Sequence, residues 1–167
     1  MRKMWAPWRI EYIRGLEGKR KCVLCVGRSK TNDRRNFIVE RSHYSFSILN
    51  IYPYNNGHIM VAPYRHVKTI ENLSTAEMND IMRLVVKTKR ALDTTMKPHG
   101  YNIGINLGRS SGAGIDKHLH FHIVPRWNGD TNFMPVISDL KVLSESLESL
   151  YDRLQRPHKR KHAKKRS

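Results

Sequence analysis

Three histidines occupy every second position, His118, His120 and His122, and alternate with Leu119, Phe121 and Ile123. Successive side chains of a β-strand point to opposite faces, so the imidazoles share one face while the apolar residues enter a core on the other. Near neutral pH an imidazole serves as nucleophile, proton shuttle or metal ligand, and three together suit a metal or an anionic substrate. A glycine-rich stretch, residues 108–114, runs directly into this strand and offers backbone amides to phosphate. A second cluster, Cys22-Val-Leu-Cys25, holds both cysteines of the chain. Two thiols fall short of the four donors of a tetrahedral site, and a redox pair is the competing reading.

The elements that must position these groups follow from the surrounding pattern. Residues 44–49 and 58–62 read as short strands separated by the turn cluster Pro53-Tyr-Asn-Asn-Gly57. Ser74-Thr-Ala-Glu77 is a capping box, followed at helical spacing by Met78, Ile81, Met82, Val85 and Leu92, with a stop before Pro98. Residues 101–107 and 119–124 are the next strands. A second helix carries Leu140, Leu143, Leu147, Leu150 and Leu154 and is expected to stop before Pro157. Strands joined by short turns with only two helices predict an α+β fold, an antiparallel sheet with both helices packed on one side.

Charge divides the chain. Of 167 residues, 31 are Lys or Arg and 14 are Asp or Glu, a net charge of +17. Residues 1–35 hold 11 basic and 3 acidic residues, and residues 156–167 hold 7 basic and none acidic. The middle is left nearly neutral, so two basic ends flank it and attract anions: nucleotide, nucleic acid or plain counterions. The expected organisation is an N-terminal arm over 1–21, one domain over 22–155 and a disordered basic tail over 156–167. No apolar run approaches the ~20 residues of a membrane span, and no signal-peptide core follows the basic start. A cytoplasmic location without membrane attachment is expected.

The triad with its flanks resembles the histidine triad (HIT) family of nucleotide hydrolases and transferases over most of residues 22–155. Gly57-His58-Ile-Met-Val61-Ala-Pro63 and Asn50-Ile51 look like family segments. Asn106-Leu-Gly108, the triad, and Pro125-Arg-Trp127-Asn-Gly-Asp130-Thr-Asn132-Phe133 are similar to the bacterial diadenosine tetraphosphate phosphorylase (ATP adenylyltransferase) branch. Trp5-Ala-Pro-Trp8-Arg9 with Tyr12-Ile13 looks like that branch too. The resemblance implies a HIT-like sheet and a covalent nucleotidyl-histidine. His120 would attack the α-phosphorus, His122 would hydrogen-bond the α-phosphate or the leaving oxygen, and His58 would orient the triad. Amides of Asn106, Gly112, Ala113 and Gly114 would hold phosphate oxygens. Gly114-Ile115 departs from relatives that place Ser or Gln there, which leaves Ser110 or Ser111 as substitutes.

By the same resemblance Asn50 would bond the ribose, Ile51 would press on the base, and Trp127 would stack or close the pocket. His66 and His118 would complete a structural zinc site with Cys22 and Cys25, with no organic cofactor. Arg126, Asn128 and Asn132 would form the pocket for an acceptor phosphate. The implied substrate is an adenine dinucleoside polyphosphate or another purine nucleotide. The implied reaction is phosphorolysis of diadenosine tetraphosphate to ATP and ADP by a homodimer or higher homo-oligomer. Two readings compete: a HIT hydrolase or phosphoramidase using water, and a nucleic-acid-associated protein using its basic ends.

Overall fold

The computed structural model describes residues 22–111, 114–130 and 145–163. Five strands form one antiparallel sheet: β1 (Ile38–Arg41), β2 (Ser45–Leu49), β3 (Ile59–Pro63), β4 (Gly100–Ile105) and β5 (Phe121–Arg126). Their spatial order is β1-β2-β3-β5-β4, which puts β5 inside the sheet and β4 at its edge. Helix α1 (Thr75–Met96) crosses from β3 to β4, and α2 (Leu147–Ala163) follows β5. The α+β architecture with two helices is the one the sequence predicts.

Alternation decides what each face of the sheet buries. Leu49, Ile59, Val61 and Ile123 pack with Ile81, Leu84, Val85 and Leu92 of α1 and Leu150 and Leu154 of α2. Both helices therefore cover the same face. The opposite face carries Ile38, Phe46, Ile48, Met60 and Ala62, and the segment after Cys22 lays the buried Leu24 on them. The triad lies on this second face.

Helix α1 starts where its capping box is. Glu77 N donates to Ser74 Oγ at 3.2 Å and Ser74 N donates to Glu77 Oε2 at 2.8 Å. It ends on Lys97, whose φ of 48° breaks the helix just ahead of Pro98. Its buried face is Glu77, Ile81, Leu84, Val85, Thr88 and Leu92, so of the residues at helical spacing Ile81, Val85 and Leu92 enter the core while Met78 and Met82 are exposed. Gly57 closes the turn before β3 at a φ of 77°, where a Cβ would meet Met96 Sδ at 2.6 Å. Only glycine satisfies both the dihedral and the approach.

Three further differences concern boundaries. β1 is absent from the sequence-based reading because a four-residue strand ending in Glu40 and Arg41 carries almost no periodic signal. β5 begins at Phe121 rather than Leu119, because Leu119 N leaves the ladder to donate to Val67 O at 2.7 Å. Helix α2 begins at Leu147 and runs on through Pro157 to Ala163, in place of the expected stop and unstructured tail. Proline removes one intrahelical donor and can be carried at that cost. Leu140 and Leu143 lie outside the described residues, as do the arm over 1–21, residues 131–144 and 164–167.

Candidate active site and metal cluster

A chain of hydrogen bonds fixes which nitrogen of each histidine carries its proton. Tyr54 N donates to His58 Nδ1 at 3.0 Å, so the proton of neutral His58 sits on Nε2. His58 Nε2 lies 2.9 Å from His122 Nδ1 and donates to it. His122 is thereby left with its proton on Nε2, a buried donor with no hydrogen-bond acceptor among the described residues. His120 Nδ1 donates to the carbonyl of His118 at 2.8 Å, which frees the lone pair of His120 Nε2. One backbone amide and one backbone carbonyl thus prepare a donor on His122 beside a nucleophilic nitrogen on His120.

Burial keeps these rings neutral. His118, His120 and His122 are all pushed below the ordinary imidazole range by loss of solvation. His122 falls furthest, to about 4, with the neighbouring His120 adding to the effect of burial. The His120 and His122 rings meet edge to face at 4.7 Å. Tyr54 lies over the other side of His122 at 5.5 Å and over His58 at 4.7 Å.

The first histidine of the triad turns the other way. His118 Nε2 donates to Pro63 O at 3.0 Å, so its Nδ1 lone pair is free. That nitrogen lies 3.4 Å from Cys22 Sγ and 3.7 Å from Cys25 Sγ, and His66 Nδ1 lies 3.1 Å from Cys25 Sγ. All four donor atoms fall within 4.8 Å of one another. Two thiols and two imidazoles converging at these separations match the edges of a tetrahedral zinc site. Burial and the adjacent Cys22 thiol raise the Cys25 pKa. The cysteines are free, not disulfide-bonded.

The remaining candidates divide. Asn50 sits beside the relay: its side chain accepts from Tyr52 N at 2.9 Å and lies 3.3 Å from His58 Nδ1. Ile51 is 54% exposed, so it is available to a ligand rather than packed in the core. Asn106 and Gly108 follow β4, and Ser111 Oγ is turned back onto Gly108 O at 2.7 Å. Gly114 is exposed and Trp127 half-buried. Gly112, Ala113 and Asn132 lie outside the described residues. Arg126 is held by Asp130 through Nε at 2.6 Å and Nη2 at 2.9 Å, and Nη1 donates to Asn102 Oδ1 at 2.7 Å. Asn128 N donates to His99 Nδ1 at 2.9 Å, which ties that histidine to the turn after β5.

Sequence reasoning misses three residues that hold the site together. Asn55 is buried and donates through Nδ2 to Pro125 O at 3.0 Å and Asp130 Oδ2 at 2.8 Å. That tie joins the turn carrying Tyr54 to the turn that follows β5. Asp130 at four residues from Arg126 is a readable signal for an ion pair; the Asn55 link and the Tyr54 stacking have none.

The geometry has counterparts in known proteins. The model of the HIT domain matches residues 31–129. The AP-4-A phosphorylase of Mycobacterium tuberculosis is 36% identical over 154 residues, covering 88% of this chain and 79% of the relative. The asymmetrical bis(5'-nucleosyl)-tetraphosphatase of Schizosaccharomyces pombe is 30% identical over 112 residues, covering 66% of this chain and 61% of the relative. The crystal structure of a Zn-bound histidine triad family protein from Mycobacterium smegmatis superposes with a TM-score of 0.58 at 22% identity, covering 72% of this chain and 81% of that one. With the fold, the histidine strand and these matches together, the chain is an enzyme of the HIT domain family.

Proposed function

We propose that this enzyme cleaves dinucleoside polyphosphates, diadenosine tetraphosphate above all, by transferring a nucleotidyl group through His120 to orthophosphate. The observation that carries the reading is the tautomer pair: a free lone pair on His120 Nε2 next to a proton on His122 Nε2. Attack forms an Nε2–P bond and breaks the bridging P–O bond, and ATP leaves. The His122 proton stabilises the oxygen on which charge develops. In the second step a phosphate oxygen attacks the same phosphorus, the N–P bond breaks, and ADP forms with the phosphate proton released to solvent, while His122 keeps its own proton and again stabilises the developing charge. Splitting the transfer preserves the activation of the original bond in the intermediate.

The naming of the 36% identical relative as an AP-4-A phosphorylase supports phosphate as acceptor. The tetraphosphatase relative supports the second reading, in which water takes the nucleotidyl group. Ile51 and Tyr54, both exposed at the rim, fit a base and ribose by contact rather than by edge recognition. Cys22, Cys25, His66 and His118 would hold one zinc ion, a reading that the Zn-bound protein from Mycobacterium smegmatis supports. With four protein donors, such an ion supplies a cross-link between the N-terminal segment and the histidine strand.

Incubation of the enzyme with diadenosine tetraphosphate and labelled orthophosphate tests the reading. Saturable acceleration by phosphate, with label at the β-position of ADP, is expected. Equal rates without phosphate, yielding AMP and ATP, would make the enzyme a hydrolase.

A further inference from the structure

The sheet is open on one side of His122. Across β5, His122 pairs with Met60 of β3, and His58 reaches it from the same direction. On the other side its direct pairing position in β4 is Gly104. Directly opposed residues of an antiparallel pair share a face with Cβ atoms about 5 Å apart, so a side chain at 104 would stand next to the His122 ring. Gly104 is exposed, and a Cβ there would meet nothing within 4 Å. Its φ lies outside the left-handed region, so the backbone does not require glycine either. Glycine inside a strand costs stability without such a reason, and close approach of a ligand is the usual compensation.

The neighbours on that face indicate the kind of ligand. Asn102 lies two residues before Gly104 and therefore on its face. Its Oδ1 is taken by Arg126, which brings a guanidinium to this row and leaves Asn102 Nδ2 as a donor. Asn106 follows two residues after. The space beside His122 is thus flanked by the amide residues Asn102 and Asn106, with Arg126 behind Asn102 and ion-paired to Asp130, so the donors offered to a phosphate group are neutral amides.

We infer that Gly104 keeps open the subsite for the phosphate next to the attacked phosphorus. In the first step this is the β-phosphate of the leaving nucleotide; in the second it is the acceptor orthophosphate, which must enter along the line the leaving group vacated. Water needs no such room, so a side chain at 104 selects against phosphate as acceptor. The inference rests on the nucleotidyl-histidine reading given above and adds where the acceptor binds.

The test separates the two by loading His120 without a β-phosphate. Adenosine 5'-phosphoramidate transfers AMP to His120 as its P–N bond breaks and ammonia departs with an added proton. The loaded native enzyme and its Gly104→Ala and Gly104→Val variants are then chased with orthophosphate or with water alone. The rate with phosphate relative to that with water should fall by roughly tenfold for alanine and further for valine, as one or more methyl groups fill a fitted pocket. Thermal unfolding should show Gly104→Ala no less stable than the native enzyme, which excludes misfolding as the cause. A native enzyme that captures phosphate while both variants capture it equally well would overturn the Gly104 inference and leave the phosphorolysis reading standing. A loaded native enzyme that ignores phosphate would overturn both.

Discussion

His58 Nε2 and His122 Nδ1 lie 2.9 Å apart, and the proton between them belongs to His58 because a backbone amide already occupies its other nitrogen. His58 therefore acts as the residue that fixes the His122 tautomer. Replacing His58 by alanine should lower the rate of nucleotidyl transfer by about a hundredfold or more, the range for loss of a positioned acid–base group. Nitrogen NMR of the His122 ring should show the proton redistributed between Nδ1 and Nε2. An unchanged tautomer with unchanged turnover would remove His58 from the mechanism.

Acid should destabilise the fold through His122 before it reaches most carboxylates. The folded pKa is about 4 against an ordinary 6.5, so between these values the unfolded chain binds a proton that the folded chain refuses. Stability is then full above about pH 6.5 and declines as pH falls toward about 4, by at most about 1.4 kcal/mol per pH unit for one proton. Glu77 has the same sign in a lower window. Bonded to Arg65, it is held at about 2 against 4.5, and its contribution is lost as pH falls between those values. Urea unfolding at about pH 7 and about pH 5 should show a lower midpoint in acid, with a smaller drop for His122→Gln. Equal midpoints for the native chain would contradict this.

Much of the arrangement is legible in the sequence because it is periodic or local. Alternation puts His118, His120 and His122 on one face, and all three are buried there. The Ser74 and Glu77 capping box and the stop ahead of Pro98 both occur in the structure. The Cys22, Cys25, His66 and His118 cluster spans 96 residues of sequence between Cys22 and His118, and only the family resemblance links its members. The Asn55 to Asp130 tie spans 75 residues and depends on how two turns meet, which no local pattern encodes. Arg126 is not available to an acceptor in the way its position suggests; it is held by Asp130 and reaches the site through Asn102 instead.

Metal content provides a third expectation. Purified enzyme should contain about one zinc per chain, and Cys22→Ser or His66→Ala should lose it together with thermal stability. Loss of activity should follow unfolding rather than precede it, because neither His120 nor His122 is among the four donors. A fully folded native enzyme without metal would contradict the assignment, as would a Cys22–Cys25 disulfide that cycles during turnover.

The basic C-terminus separates from catalysis. Among the described residues Leu154 is the last of α2 in the core, and Gln155 Nε2 donates to Val39 O at 2.8 Å. Deleting residues 156–167 leaves both in place, so dinucleotide cleavage should persist. Affinity for nucleic acid should weaken, with a shallower dependence on salt as basic residues are removed. Lost turnover in a truncated chain that remains folded would place the tail in the active site.

The covalent step at His120 is the most direct test of the mechanism. Rapid acid-free quenching of native enzyme mixed with diadenosine tetraphosphate labelled at the α-phosphorus should trap one label on protein. Peptide mapping should place it on His120, and phosphorus–nitrogen coupling should assign the bond to Nε2, the nitrogen left free by the bond from Nδ1 to the His118 carbonyl. His120→Gly should bind nucleotide and carry no label. Label on another residue, or turnover near the native rate in His120→Gly, would contradict the mechanism.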